Sequence, residues 1–363
     1  MSATAKPEAA AASKLFALNR DGLHWSQAFV LLGVALVPFV VLWAIGQEQY
    51  LLSAEFGMLF AAATDPGGTF GYRASHLAVF ALAGAALTAV GFALGGGAWG
   101  WVVLAASATT LAAGLGATFG VHRFIAADAL NIWFLVALAI AAGYQRSHTT
   151  SHPWAQALAW LAGSALWIAV SFVAWLARGR KERPQYVAEL PGDTSRRKLT
   201  RPLIMFAVIR ALAIAITVGI AWGFDLEHAD WMPIAAIVAM KPGLDQAKLA
   251  SEQRLIGAAI GAVLAAVFLL TVKNKHALEL ITIAFLTLGG AIRFANYALY
   301  CAAIAAGVLI ATDIPNPTNF TAEAERVLFT FIGLAVGLLV LLLANRLAQR
   351  ATKPRAKTAS QPV

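Results

Sequence analysis

Apolar residues arrive in blocks separated by short polar punctuation, and each block is read as a helix in or near a bilayer. In the first half the blocks occupy 25–46, 50–64, 75–94, 99–119, 126–144 and 154–177; in the second, 202–222, 231–240, 255–272, 277–291, 297–311 and 327–344. A helix rises ~1.5 Å per residue and a hydrocarbon core is ~30 Å thick, so a full crossing takes about 20 residues. Eight blocks hold 18 residues or more, but 50–64, 277–291 and 297–311 hold 15 and 231–240 only 10. The shortest, "WMPIAAIVAM", stops at Lys241-Pro242-Gly243.

The early stop recurs. Trp231 to Arg254 and Tyr50 to Arg73 are both steps of 23 residues. Each begins with an aromatic, runs apolar too briefly, passes through Pro-Gly and ends at an arginine that opens a long Gly/Ala-rich block. A second echo pairs "GVHRFIAADAL" around Arg123 with "GAIRFANYAL" around Arg293. The expected fold is therefore an all-α polytopic membrane protein of about 12 membrane segments in two parallel six-helix repeats. No large soluble domain is expected. The predicted organisation is a disordered tail over 1–24, one repeat over 25–177, a linker over 178–201, the second repeat over 202–346 and a basic tail over 347–363. A backbone break at membrane depth needs partners that lipid does not supply, so it must face protein or a water-filled cavity. Such breaks at matching places in two halves point to a transport site.

Composition confirms the solvent. Sixty per cent of the 363 residues are hydrophobic, 12% are charged and the mean hydropathy is +0.72. A soluble domain is about a quarter charged. The net charge of +9 and pI near 9.9 do not point to nucleic acid, because the cations sit between apolar blocks instead of forming a stripe. With the N-terminus inside, 22 Lys/Arg fall on cytoplasmic segments and 4 on external ones, with Arg210 inside a block. That bias predicts both termini in the cytoplasm. The block after the N-terminal tail is too long for a signal-peptide core and is read as a retained first helix. The single cysteine, Cys301, excludes an intrachain disulfide and reads as a small packing residue.

An ionised residue at membrane depth costs at least ~2.5–3.5 kcal/mol on insertion scales, so each one needs a reason. Glu55 stands about 8 Å from the external end of its block at helical rise. It is either a packed carboxyl or a proton carrier, and its counterpart in the second half is Ala236. Arg123, Arg293, Arg73 and Arg254 satisfy the positive-inside rule, yet their recurrence also suits cations flanking an anion path. Arg210 is expected to snorkel to the cytoplasmic surface, with capping of the pathway as the alternative. His76 and His122 read as packing residues, and Asp128 and Glu279 have no assigned role. The two breaks carry opposite charges. Asp65 and Lys241 are expected to face one central cavity as a pair that an incoming carboxylate competes for, with Asp65 and Glu55 on the proton-coupling side. No metal-ligand cluster, phosphate loop or nucleophile elbow is present, so neither an enzyme nor a cofactor is expected.

Arg210-Ala-Leu, Trp231, Lys241-Pro242 and above all "RLIGAAIG", with Arg254, Gly257 and Gly261, resemble the fusaric acid resistance (FUSC) or aromatic acid exporter family of bacterial inner-membrane proteins. The first half fits more loosely, with His76 and Phe80 standing after Arg73 where glycines belong. The resemblance implies export of aromatic carboxylates driven by the proton-motive force, in the inner membrane. Larger members carry a sizeable cytoplasmic domain between halves, where this chain has 24 residues. That leaves room for a partner, either a second copy or an accessory periplasmic protein. The family also resembles plant aluminium-activated malate channels, so an anion channel with a basic pore is the alternative, and a non-transport envelope scaffold the third class. Gly257 and Gly261 are expected to pack closely against another helix.

Overall fold

The computed structural model describes residues 18–23, 25–182, 198–240, 247–293, 295–313 and 320–352. Among them are twelve α-helices and no strand. They are α1 (Trp25–Ala44), α2 (Leu51–Thr64), α3 (Phe70–Leu94), α4 (Trp99–Leu115), α5 (Val121–Arg146), α6 (Pro153–Ala177), α7 (Arg201–Gly223), α8 (Trp231–Ala239), α9 (Ala247–Thr271), α10 (Lys275–Ile292), α11 (Tyr297–Asp313) and α12 (Phe320–Thr352). Every apolar block lies on one helix. The helices overrun the blocks where polar residues continue them: α3 starts five residues before its block, and α12 runs past both ends of its own. Hydrogen bonding propagates a helix without regard to hydropathy, whereas the apolar pattern reports only the part that meets lipid or core.

Among the described residues six helical stretches are long and apolar enough to cross a membrane: Phe70–Leu94, Trp99–Phe119, His122–Arg146, Pro153–Ala177, Leu203–Gly223 and Lys275–Ile292. Their outward faces carry large apolar side chains such as Val79, Leu82, Trp101 and Val173, all more than 60% exposed. A surface of that kind is stable only against lipid. The chain is an integral membrane protein.

Contacts between connections sort them into two ends. At one end Asn19 donates its backbone N–H to the Ala295 carbonyl (2.8 Å), Phe70 stacks on Trp175 (5.2 Å) and Arg293 reaches the Ala63 carbonyl (3.4 Å). This is the tail end. At the far end the Tyr144 hydroxyl and the Gln156 amide both donate to the Gln49 carbonyl (2.9 and 2.8 Å), Trp222 donates to the Gly95 carbonyl (3.1 Å), and Lys275 pairs with Glu48. The helices thus alternate in direction.

α5 runs through the middle. Protein encloses 72% of its apolar window, against 44% or less for the other five candidate spans, so α5 meets least lipid. Its Trp133 stacks on Trp160 of α6 at 4.8 Å, lies 5.2 Å from Phe56 of α2 and donates its indole N–H to Thr88 of α3 (2.7 Å). In the first half α2 and α3 pack on α6, while α3 and α4 pack on α5. In the second, α8 and α9 pack on α12, while α9 and α10 pack on α11. Across the halves α4 packs on α7 and α10 on α1.

The two short blocks are interior helices. Every residue of α8 except Val238 is buried, and Met240, where the helix stops, is fully enclosed. At helical rise α8 covers roughly 14 Å, about half a bilayer core. Its backbone ends against protein, as the hydrogen-bonding argument requires.

Candidate functional site

The break after α2 is built by a short, specific turn. Pro66 ends the helix because it cannot donate the next backbone hydrogen bond. Gly67 and Gly68 then take φ of +69° and +84°, left-handed values that an L side chain rarely adopts. Asp65 accepts the Gly67 N–H on Oδ1 (3.1 Å), and Thr69 caps α3 by accepting from Tyr72 (3.4 Å). The same Asp65 receives a two-pronged ion pair from Arg73, Nε to Oδ1 at 2.8 Å and Nη2 to Oδ2 at 2.5 Å, with side chains only 1% and 7% exposed. Both charges are thus withdrawn from water, and each makes the other tolerable.

Four more basic side chains lie around this turn. His76, one turn along α3 from Arg73, lies within electrostatic reach of His122, Arg123 and Asp65. Arg293, between α10 and α11, places Nη1 on the Ala63 carbonyl and its guanidinium 5.8 Å over the Tyr300 ring. The carbonyl end of α2 carries partial negative charge and favours such cations. Arg73 and Arg293, from the two halves, therefore lie with Asp65 at the tail end of α2, and Arg123 stands within electrostatic reach of His76 beside them. Lys241 lies outside the described residues, and with it the expected pairing to Asp65; the partner that is seen for Asp65 is Arg73. Arg254 sits on α9, but its side chain is also outside what is described.

Glu55 lies ten residues up α2 from Asp65, about 15 Å at helical rise. It is buried, and neither carboxyl oxygen has a hydrogen-bond partner. An ionised carboxylate left so is costly. Gly257 and Gly261 lie where α9 crosses α11. A Cβ on Gly257 would stand 2.7 Å from the Cys301 Cβ, and one on Gly261 would stand 2.6 Å from the Ala302 carbonyl oxygen.

One expectation is overturned. Arg210 does not snorkel: its side chain is fully buried and paired with Asp128 of α5. It stands nine residues into α7, roughly 14 Å deep at helical rise, which is farther than an arginine stem reaches. That depth was readable in the sequence; the pairing with Asp128 was not. Glu279, the other unassigned acid, pairs with His276 (3.0 Å) near the Lys275–Glu48 bridge at the far end.

Residues 211–340 are fusaric acid resistance protein-like. The match runs from α7 into α12 and bears out the family resemblance there; Arg254, Gly257, Gly261 and Arg293 fall inside the matched span and Arg210 just before it. No curated protein and no solved structure matches the chain. The family match suggests a membrane-transporter-like role in resistance or efflux, and the helices long and apolar enough to cross a membrane agree with it.

The far end holds a second charged group. Arg146 lies 3.8 Å from Asp230, and His228 bonds Glu325 at 3.2 Å, joining α5, the α7–α8 connection and α12. Burial pushes the Asp230 carboxyl up, against the pull of Arg146, His228 and Arg326. Burial also pushes His228 down from 6.5, helped by the Arg326 charge and opposed by the Glu325 hydrogen bond. A lowered folded pKa means that the unfolded chain binds the proton first, so stability falls as pH drops below 6.5 and levels off past the folded value. Asp230 has the opposite sign, and a His228→Gln comparison leaves it in place. His228→Gln is expected to lose less melting temperature than the parent between neutral pH and about one unit below 6.5. Equal losses in detergent-solubilised protein would mean that His228 titrates as it does in water.

Proposed function

We propose that this protein is a secondary transporter that exports organic anions, aromatic carboxylates foremost, across the bacterial inner membrane, with both termini in the cytoplasm and proton uptake coupled through Glu55. The observation that carries the reading is the convergence of Arg73, Arg123 and Arg293 on the buried break after α2. Three guanidiniums against one carboxylate leave a net positive mouth at the tail end, which the Lys/Arg distribution assigns to the cytoplasm. Such a cleft raises the local concentration of anions. An inside-negative potential then favours their exit by ~2.3 kcal/mol per charge per 100 mV, and a coupled proton raises the attainable gradient further.

The helix pairings support two parallel six-helix repeats. Shifting each first-half pairing by six helices gives its second-half equivalent, and α4 on α7 becomes α10 on α1 when the shift closes on itself. A twofold axis along the membrane normal produces that pattern. Under it α2 and α8 are equivalent short helices flanking the central path. The reading includes no enzymatic step and no cofactor. It includes a partner, either a second copy of this chain or an accessory periplasmic protein.

Coupling is tested by Glu55→Gln in proteoliposomes loaded with benzoate. The parent should speed benzoate flux when a pH gradient is imposed, and the variant should keep downhill flux while ignoring the gradient. A variant that responds as the parent does removes Glu55 from coupling. Parent flux indifferent to pH moves the assignment to an anion channel.

A further inference from the structure

Among the described residues stand two buried arginine–aspartate pairs, and they are made differently. Arg73 grips Asp65 with two nitrogens on two oxygens. Arg210 gives Asp128 one nitrogen, Nη2 to Oδ1, while its Nε and Nη1 are buried with no acceptor. A guanidinium offers five N–H donors in a fixed fork, and leaving buried donors unclaimed is expensive. The shortage extends along α5. One turn beyond Asp128, fully buried Asn131 accepts from the Thr110 hydroxyl on Oδ1 (3.1 Å), and its Nδ2 has no partner. The junction of α4, α5 and α7 therefore holds more buried donors than acceptors. A pair kept only to neutralise charge would close bidentately, as Arg73 and Asp65 do.

We propose that Arg210 is a second anion-binding residue of the transport path, at mid-depth, which receives the carboxylate of the passing anion on the N–H groups that Asp128 leaves unclaimed. Asp128 is its internal competitor. It occupies the guanidinium when no anion is present, and yields or shares it when one arrives. The inference rests on the anion-transport reading and adds a site to it. Arg123 stands at the tail end of α5 and Asp128 five residues further in, about 7–8 Å at helical rise, so an anion leaving the basic mouth meets Arg210 next. A carboxylate is the fitting ligand because it supplies two planar acceptor oxygens to a guanidinium fork.

The test is benzoate binding to the purified full chain in detergent, by titration calorimetry. Asp128→Asn keeps the shape and the arginine but removes the competing charge, and should tighten benzoate binding by about tenfold, a gain that a purely structural partner would not give. Arg210→Lys keeps the charge and the pair but loses the fork, and should weaken binding by about tenfold with little change in melting temperature. Folded variants that bind benzoate as tightly as the parent overturn the inference and leave the transport reading standing. Absence of benzoate binding in the parent and in both variants overturns the two together. If one substitution prevents folding, the other decides.

Discussion

Leucine at Gly261, or at Gly257, is expected to collapse the yield of folded protein. The backbones of α9 and α11 approach so closely that even a Cβ on Gly261 would stand 2.6 Å from both the Ala302 carbonyl oxygen and the Ala305 Cβ, and 3.0 Å from the Ala306 nitrogen. Real Cβ atoms essentially never come that near, and here the obstacles are backbone, which cannot turn aside. Leucine adds three carbons beyond the Cβ, so the helices must separate along their contact. Overpacking a tight core costs typically ~1–3 kcal/mol, which lowers the folded-to-unfolded ratio by roughly 5–150-fold. Small residues on α11, Ala298, Cys301, Ala302 and Ala305, make the approach possible, which is the chemistry of close helix pairs in membranes. Gly33→Leu serves as the control, since nothing lies within 4 Å of a Cβ there. Size-exclusion profiles in mild detergent should show Gly33→Leu near the parent and the other two depleted. Parent-like elution and melting of both α9 variants would mean that α9 and α11 are not packed this way.

The second large effect is expected from Arg123→Gln combined with Arg293→Gln. Arg123 is exposed at the mouth of the cluster and Arg293 is partly buried, whereas Arg73 is already committed to Asp65. Removing the first two therefore takes away the cluster's surplus positive charge and leaves its structural pair. Electrostatic focusing of this kind is worth about 10–10³ in local anion concentration. Carboxylate flux should fall about tenfold or more, with unchanged folded yield, and the loss should shrink as salt screens the parent's own advantage. Undiminished flux would place the entry path away from the break.

Much of this was legible in the sequence. The twelve apolar blocks gave twelve helices because burial in lipid or core demands long unbroken apolar runs. The shortness of α2 and α8, with Pro-Gly at their ends, marked them as interior elements before any coordinates. Arg123 and Arg293 were linked in the sequence by their shared Arg-Phe pair, whereas the place of Arg73 beside Asp65 was not foreseen. What the apolar pattern misses is pairing across helices. Asp65 sits eight residues from Arg73, and the turn folds one onto the other, an arrangement that requires the left-handed glycines at 67 and 68. Arg210 and Asp128 stand 82 positions apart, and only the packing of α4, α5 and α7 shows them to be partners. Helix ends were equally hidden, because α12 continues through polar residues that hydropathy assigns to a tail.

The central claim is that the chain moves organic anions, and one measurement meets it directly. Purified protein in sealed liposomes is given labelled benzoate, with malate and a neutral aromatic amide as comparison solutes, under an imposed membrane potential with and without a pH gradient. The account predicts flux of the carboxylates and not of the amide, directed away from the negative side, quickened by the pH gradient and largely lost when Arg123 and Arg293 are both glutamine. Folded protein that passes no carboxylate under any gradient would contradict it.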